Sequence, residues 1–267
     1  MEFSALPADT FGFPHAYVVL TAQNPVCFYG DLDRVFPLAS VTKPIAAWAV
    51  LVAVAQGKLT LDDAAGPAGA TVRHLLSHAA GLPYTAGEPI NHPGERRGYS
   101  NYGFDLVADI LAERTGMSAP EWIKQTVAQP LGMDTLEISG SIAHTGQASA
   151  DCLALFAAEV LNPTLIPAEL AEEALSPVFP GLPGVLPGYG PQSDNLWGLG
   201  FEIRGHKSPH WLGEDFPPET AGHFGQSGSF IWIDRQAQKA GVFLGAEPFG
   251  TQHREIWPAL TNQMRAL

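Results

Sequence analysis

The stretch LASVTKPIAAWAVLVAVAQGKLTLDD, residues 38–63, decides the fold. From Leu38 to Gln56 apolar residues fall on nearly every helical face, so the pattern predicts a helix buried at the centre of a protein. Pro44 has no N–H to donate and is tolerated only in the first turn of such a helix, which puts Ser40 at the helix N-terminus. Positions i and i+3 share a helix face, so Ser40 and Lys43 stand within reach of each other. A serine hydroxyl is a poor nucleophile without an adjacent base. A lysine held in a dry site loses its proton readily and can be that base. The backbone N–H of Ser40 is also placed to face a developing oxyanion. Taken alone, the same residues also fit a capping Ser beside a snorkelling Lys, but a Lys entering so apolar a helix calls for a reason.

On the N-terminal side of this helix lie two β-rich runs, AYVVLT (16–21) and VCFYG (26–30), with Asn24-Pro25 as a turn signal between them. On its C-terminal side, residues from about 57 to 175 read as mainly helical. TVRHLLSHAAGL starts at Thr71, GFDLVADILAERTG (103–116) is amphipathic and ends at a Gly, and Ala119–Val127, Ala148–Leu161 and PAELAEEAL (167–175) follow. Pro177 to Asn195 is rich in Gly and Pro and reads as loop. Strands are expected at LGFEIR (199–204), SFIWID (229–234) and AGVFLG (240–245), the last two as an antiparallel hairpin. REIWPALTNQM (254–264) reads as a closing helix that Pro258 kinks. The expected fold is α+β: an antiparallel sheet built from both chain ends, flanked by helices, with an inserted all-α lobe. One domain spans 1–267, its α/β part at about 1–56 and 177–267 and its helical lobe at about 57–176, and a site at the boundary is expected.

Two further motifs carry chemistry. Tyr99-Ser100-Asn101 precedes a helix, between Gly98 and Gly103. A Tyr shuttles protons when a cation lowers its pKa, and an Asn can donate to a substrate carbonyl while accepting from a Lys. The alternative is a core Tyr and an Asn helix cap. His223-Phe224-Gly225 lies just before a predicted strand, where glycine lets the backbone approach a ligand closely. The alternative there is an ordinary Gly-rich turn.

The order S-x-x-K, Y-x-N, H-x-G resembles the serine β-lactamase and penicillin-binding-protein superfamily, in the branch of class C β-lactamases, DD-peptidases, D-aminopeptidases and β-lactamase-like esterases. More pieces match in order: the nucleophile helix, TVRHLLSHAAGLP (71–83) beside the family's LLTHTSGLP, YSNYGFDLVADILAERTG (99–116), QPLGMDTL (129–136), WGLGF (197–201) and GHFGQSGSFIWID (222–234). The resemblance covers roughly residues 16 to 245. It implies Ser40 as nucleophile, Lys43 and Tyr99 sharing general-base and general-acid work, and Asn101 orienting substrate and Lys43. It also implies an oxyanion hole from the backbone N–H groups of Ser40 and Gln226. His223, Phe224, Gly225 and Gln226 would border the substrate. The third motif departs from the K-T-G of the β-lactamases proper. Histidine is only partly charged near neutral pH and Phe224 has no hydroxyl, so a substrate carboxylate is poorly served.

Cofactors and metals are not expected. His74 and His78 stand four apart and can be read as a metal pair, but the resemblance makes them structural. His206 and His210, near Glu214 and Asp215, can be read the same way, or more simply as part of an exposed loop. Trp197, Trp211 and Tyr189 are candidates for the pocket rim, or for core packing. The chain has 14 basic and 27 acidic residues and a formal net charge of −13, which disfavours a nucleic-acid partner. Its two cysteines, Cys27 and Cys152, are too few for a disulfide framework and read as buried filler. MEFSALPADTFGFPH lacks the basic start and apolar run of a secretory leader, and the apolar stretch 44–56 is too short to span a membrane. A cytoplasmic protein is the expectation. The expected substrate is a small ester, amide or D-amino-acid-type peptide. The alternatives are β-lactam hydrolysis, or a non-catalytic binding or sensor domain on the same fold. The oligomeric state is not legible.

Overall fold

A computed structural model describes residues 5–267. Two strands open it, β1 (His15–Thr21) and β2 (Pro25–Tyr29), then the short β3 (Val35–Pro37), a 3-10 turn (Ala39–Val41) and helix α1 (Thr42–Ala55). The middle of the chain holds α2 (Val72–Leu76), α3 (Asn101–Thr115), α4 (Ala119–Ile123), a π turn (Lys124–Ala128) and α5 (Gln129–Leu131). Strands β4 (Glu137–Ile138) and β5 (Gly146–Ser149) and helices α6 (Ala150–Leu161) and α7 (Ala168–Ala174) complete that region. The last third carries β6 (Gly184–Leu186), β7 (Gly190–Gln192), β8 (Glu202–Ile203), β9 (Ala221–Gly225), β10 (Ser229–Asp234), β11 (Lys239–Gly245) and α8 (Thr251–Ala266).

The main sheet runs β2-β1-β11-β10-β9-β8, antiparallel throughout. The two chain ends therefore meet at the β1–β11 pair, where His15 lies opposite Gly245 and Thr21 opposite Lys239. Side chains alternate across each strand, and here both faces are covered. Ala16, Val18 and Leu20 of β1, with Ile231, Ile233, Val242 and Leu244, face the core that contains α1 and α6. Tyr17, Val19, Phe230, Trp232 and Phe243 face the other way, onto Trp257, Leu260 and Met264 of α8. This is why these strands read as unbroken apolar runs rather than alternating ones. Helix α1 is buried from Thr42 to Ala53, as its apolar faces require.

Several details differ from the sequence reading. α1 begins at Thr42, with Ser40 in the tighter turn ahead of it. The Gly/Pro-rich stretch after Pro177 is not all loop, for β6 and β7 pair as a hairpin. His223-Phe224-Gly225 is itself strand β9, paired with β10. Two short strands, β4 and β5, stand among the helices of the inserted region, and β5 pairs with β3 on one side and β4 on the other. Cys27 and Cys152 are free and buried. The stretch 206–222 is not an exposed loop: Lys207, His210 and Trp211 are buried, because Glu202 supplies the partner each polar group needs.

Candidate active site

The turn bearing Ser40 is gripped from two sides. The Leu38 N–H donates to Gly146 O of β5 at 2.8 Å, and Ser229 Oγ of β10 donates to Leu38 O at 2.8 Å. Thr42 Oγ1 donates to Ala39 O at 2.6 Å and accepts from the Gly146 N–H at 3.1 Å. Ala39 sits at φ 44°, in the left-handed region. Gly225 lies directly against this turn, where a Cβ would stand 2.3 Å from Leu38 O, so β9 approaches only because its last residue has no side chain.

Lys43 is buried one helical turn on from Ser40. Its Nζ donates to Asn101 Oδ1 at 2.6 Å and to Ala143 O at 2.9 Å, and lies 3.4 Å from Ser40 Oγ. Burial holds the amine well below its ordinary pKa, with Asp105 opposing only in part. A neutral amine has two N–H groups and one lone pair. In that form, with both N–H groups given to Asn101 and Ala143, the lone pair would face the Ser40 hydroxyl. The Ala143 carbonyl is a backbone group that no side-chain motif announces.

Tyr99 stands just ahead of α3. Ser100 caps that helix: its Oγ accepts from the Gly103 N–H at 3.0 Å and donates to Pro83 O at 2.6 Å. Asn101 is thus not the cap but the first helical residue, free to hold Lys43. The Tyr99 phenol is within reach of the Ser40 hydroxyl, and burial raises its pKa above the ordinary tyrosine value, so it carries a proton. Its OH lies 3.5 Å from His223 Nε2. The other ring nitrogen of His223, Nδ1, is 2.7 Å from Phe224 O and must donate to it, which leaves Nε2 as acceptor. Burial first, and Lys43 second, hold His223 down to about 3, so it is neutral.

His78 is not paired with His74. It lies past the end of α2 at φ 56°, its ring 4.4 Å from that of Tyr99, with Nδ1 accepting from the Ser100 N–H at 3.2 Å. His74 instead stacks on Phe179 at 4.3 Å. The structure therefore uses His78 to shape the Tyr99 loop.

Ser40, Tyr99, His223 and Gln226 border one small cleft that opens to solvent. Phe224 forms part of its wall, and Gly225 lies beneath, against the Ser40 turn. Tyr84, Leu186, Pro187 and Trp197 make up the rest of the apolar wall. Of the other rim candidates, Trp211 instead donates to Glu202 Oε2 at 2.8 Å, and Tyr189 packs behind Phe224 at 5.9 Å. The cleft also holds Glu202, which the motif reading passed over. The signal was present: one acidic residue inside the otherwise apolar WGLGFEI marks a buried charge, and buried charges are paired. Burial alone would raise its pKa, but Lys207, His210 and the bonds from His210 and Trp211 hold the carboxyl well below the usual carboxylate range.

A cleft bordered by a serine hydroxyl, with a buried amine of lowered pKa and a protonated phenol beside it, has the side chains that acyl transfer needs. Comparison with known proteins agrees with that chemistry. A structure described as a beta-lactamase from Mycobacterium bovis superposes with a TM-score of 0.94 at 44% identity, covering 96% of each chain. Esterase EstB of Burkholderia gladioli is 42% identical over 148 residues, 38% of this chain and 38% of that protein. A penicillin-binding protein of Bacillus subtilis is 27% identical over 155 residues, 46% of this chain and 34% of that protein. The matched stretches thus span little more than a third of these two curated relatives. The family profile described as Beta-lactamase matches residues 21–263, and the chain belongs to that family of serine hydrolases.

Proposed function

We propose that this protein hydrolyses small carboxylic esters, and related amides, that carry no carboxylate, through an acyl-enzyme on Ser40. The observation that carries this reading is the buried Lys43 amine, bonded to Asn101 Oδ1 and Ala143 O and standing 3.4 Å from Ser40 Oγ. Lys43 takes the Ser40 proton as Oγ attacks the carbonyl carbon. The N–H groups of Ser40 and Gln226 receive the oxyanion. Tyr99 gives its proton to the departing oxygen and recovers one from the Lys43 ammonium. Water then attacks the acyl carbon, and Ser40 leaves with its proton restored. Asn101 keeps the amine aimed throughout. A non-catalytic sensor would have no need of so complete a proton path.

The third motif supports a preference for substrates without a carboxylate. A β-lactam carboxylate leaving water gains about 1.5–3 kcal/mol from each charge-assisted bond it can make. Here the neutral His223 and the apolar Phe224 occupy the positions that would supply them. EstB, an esterase by name, is the relative that fits this reading. The mycobacterial structure described as a beta-lactamase favours the second reading, hydrolysis of β-lactam amides.

Two measurements decide between them. A fluorophosphonate probe is expected to label Ser40 alone, and Ser40→Ala to abolish turnover; labelling at Ser100 or Ser227 would sink the assignment. The ratio of kcat/KM for p-nitrophenyl butyrate to that for a chromogenic cephalosporin is expected to favour the ester, and a preference for the cephalosporin establishes the second reading instead.

A further inference from the structure

Glu202 has no part in the proton path, yet it is the one charged side chain on the cleft wall. Its side chain is 2% exposed. Oε1 pairs with His210 Nε2 at 2.9 Å and Lys207 Nζ at 3.2 Å, and Oε2 accepts from Trp211 Nε1 at 2.8 Å. A carboxylate has four acceptor sites, so one on Oε2 is left. His210 Nδ1 accepts from the Leu212 N–H at 3.0 Å, which fixes the ring as the neutral Nε2–H form. Among the described residues Lys207 is therefore the one full positive charge in direct contact with Glu202, with Arg204 acting on it without an ion pair, and the position of Lys207 is asymmetric. Lys207 Nζ is turned to the carbonyl oxygens of Leu196 and Ile203 and lies outside the cleft lining. The ion pair thus presents its negative end to the substrate. The field of Glu202 is felt at Tyr99 and at His223, both of which it pushes toward the protonated form.

The walls around that carboxylate are aromatic. Tyr84, Tyr99, Trp197 and Phe224 border the same cleft, and Tyr84 is half exposed at its mouth. Aromatic faces attract cations, quaternary ammonium above all, and a desolvated anion beside them adds to the attraction. No other group on the lining carries a positive charge to oppose a cation, since His223 is neutral. The formal charge of −13 draws cations toward the protein at longer range.

We propose that Glu202 and the aromatic walls make this cleft selective for acyl substrates that carry an alkylammonium group. This rests on the reading of Ser40 as nucleophile and narrows its substrate class. Lys207 is a positioning residue in it: it keeps Glu202 ionised while staying out of the substrate's way.

The test uses isosteric pairs that differ only in charge. The p-nitrophenyl ester of 4-(trimethylammonio)butyrate is compared with that of 5,5-dimethylhexanoate, where carbon replaces nitrogen. Wild-type kcat/KM is expected to favour the cationic ester about tenfold or more, and Glu202→Gln to bring the ratio to within about threefold of one. Equal or inverted ranking in the wild type, or a ratio unchanged in a folded Glu202→Gln protein, overturns the proposal. A second measurement needs neither turnover nor a Glu202 variant. Choline and 3,3-dimethylbutanol are titrated calorimetrically into Ser40→Ala protein, with choline expected to bind about tenfold more tightly. If the alcohol binds as well as choline, the selectivity is absent whatever the chemistry at Ser40. If choline wins while no ester is turned over, the catalytic reading fails and the cation site stands.

Discussion

Replacing Lys43 by Met keeps the length and burial of the side chain and removes only the amine. Nζ makes two good hydrogen bonds, to Asn101 Oδ1 and Ala143 O, and faces Ser40 Oγ at 3.4 Å. Losing the general base is worth about 10²–10⁴ in rate, or about 2.7–5.4 kcal/mol of activation free energy. The effect on folding is separate. Two buried acceptors are orphaned at about 1–3 kcal/mol each, while the cost of desolvating an amine disappears. The Lys43→Met protein is therefore expected to melt within several degrees of the wild type and to fold. Its kcat/KM for p-nitrophenyl butyrate is expected to fall by the full two to four decades. The pH profile gives an independent reading. The amine is a base only when unprotonated, so wild-type kcat/KM rises with pH through the Lys43 pKa and then levels off. Burial places that rise well below the ordinary 10.5, and Lys43→Met is expected to lack it. A folded variant that keeps more than about a tenth of the wild-type rate, or the same rising limb, refutes the assignment of the base.

In the proposed mechanism Tyr99→Phe removes the proton that reaches the leaving group, and kcat/KM is expected to drop about 10²–10⁴-fold with the melting temperature little changed; poor leaving groups should suffer more than p-nitrophenolate, and an equal loss for both would remove Tyr99 from the acid role. Gly225→Ala drives a Cβ to 2.3 Å from Leu38 O and 2.7 Å from Ser229 Oγ, so the Ser40 turn must shift, and kcat/KM is expected to fall about 10²-fold. Gly87→Ala is the control, its nearest contact being a Pro83 ring carbon at 3.4 Å, and equal losses for the two would show that the effect is not local. His223, ordinarily near 6.5, is held to about 3 in the folded state. Between those values the unfolded chain binds the proton and the native state does not, so stability falls as pH falls, by up to about 1.4 kcal/mol per pH unit for one proton. Chemical denaturation of His223→Gln across that window should show a shallower slope than the wild type; an unchanged slope would mean that His223 is charged when folded.

The nucleophile helix could be read from sequence because its cause is local. An apolar run with one Pro in its first turn has a single solution, a central helix with Ser40 just ahead of it. The β10–β11 hairpin was equally plain, since two β-rich runs flank a short polar turn. What could not be read depended on partners far along the chain. β9 looked like a Gly-rich turn because AGHFG has weak strand propensity, and it is a strand only because β10 pairs with it on one side and β8 on the other. The β6–β7 hairpin lay hidden in Gly and Pro for the same reason. HKSPHWLGEDFPPETAG read as solvent-exposed by composition, yet Glu202 holds Lys207, His210 and Trp211 inside while Glu214, Asp215 and Glu219 stay exposed. At the site itself, the side-chain types announced Ser40, Lys43, Tyr99 and Asn101. Trp197 was legible as a rim candidate, whereas the Ala143 carbonyl and the supporting ring of His78 came only from geometry.

The placement of strain at Ser40 links folding to function. Ala39 at φ 44° is a non-glycine residue in the left-handed region, which costs about 1–3 kcal/mol. The turn is held by bonds from Leu38 N–H, Ser229 Oγ and Thr42 Oγ1, each worth about 1 kcal/mol net. Strain and restraint nearly balance, so the turn keeps its shape only while every restraint is in place. Those restraints come from β5 in the inserted region and β10 in the C-terminal third, with β9 closing in through Gly225. The reactive geometry at residue 40 therefore cannot form from residues 38–63 alone. It requires the C-terminal strands to have joined the sheet and the inserted region to have docked. By the same logic, a lesion at the β5 or β9 contact should silence Ser40 before it unfolds the helix behind it.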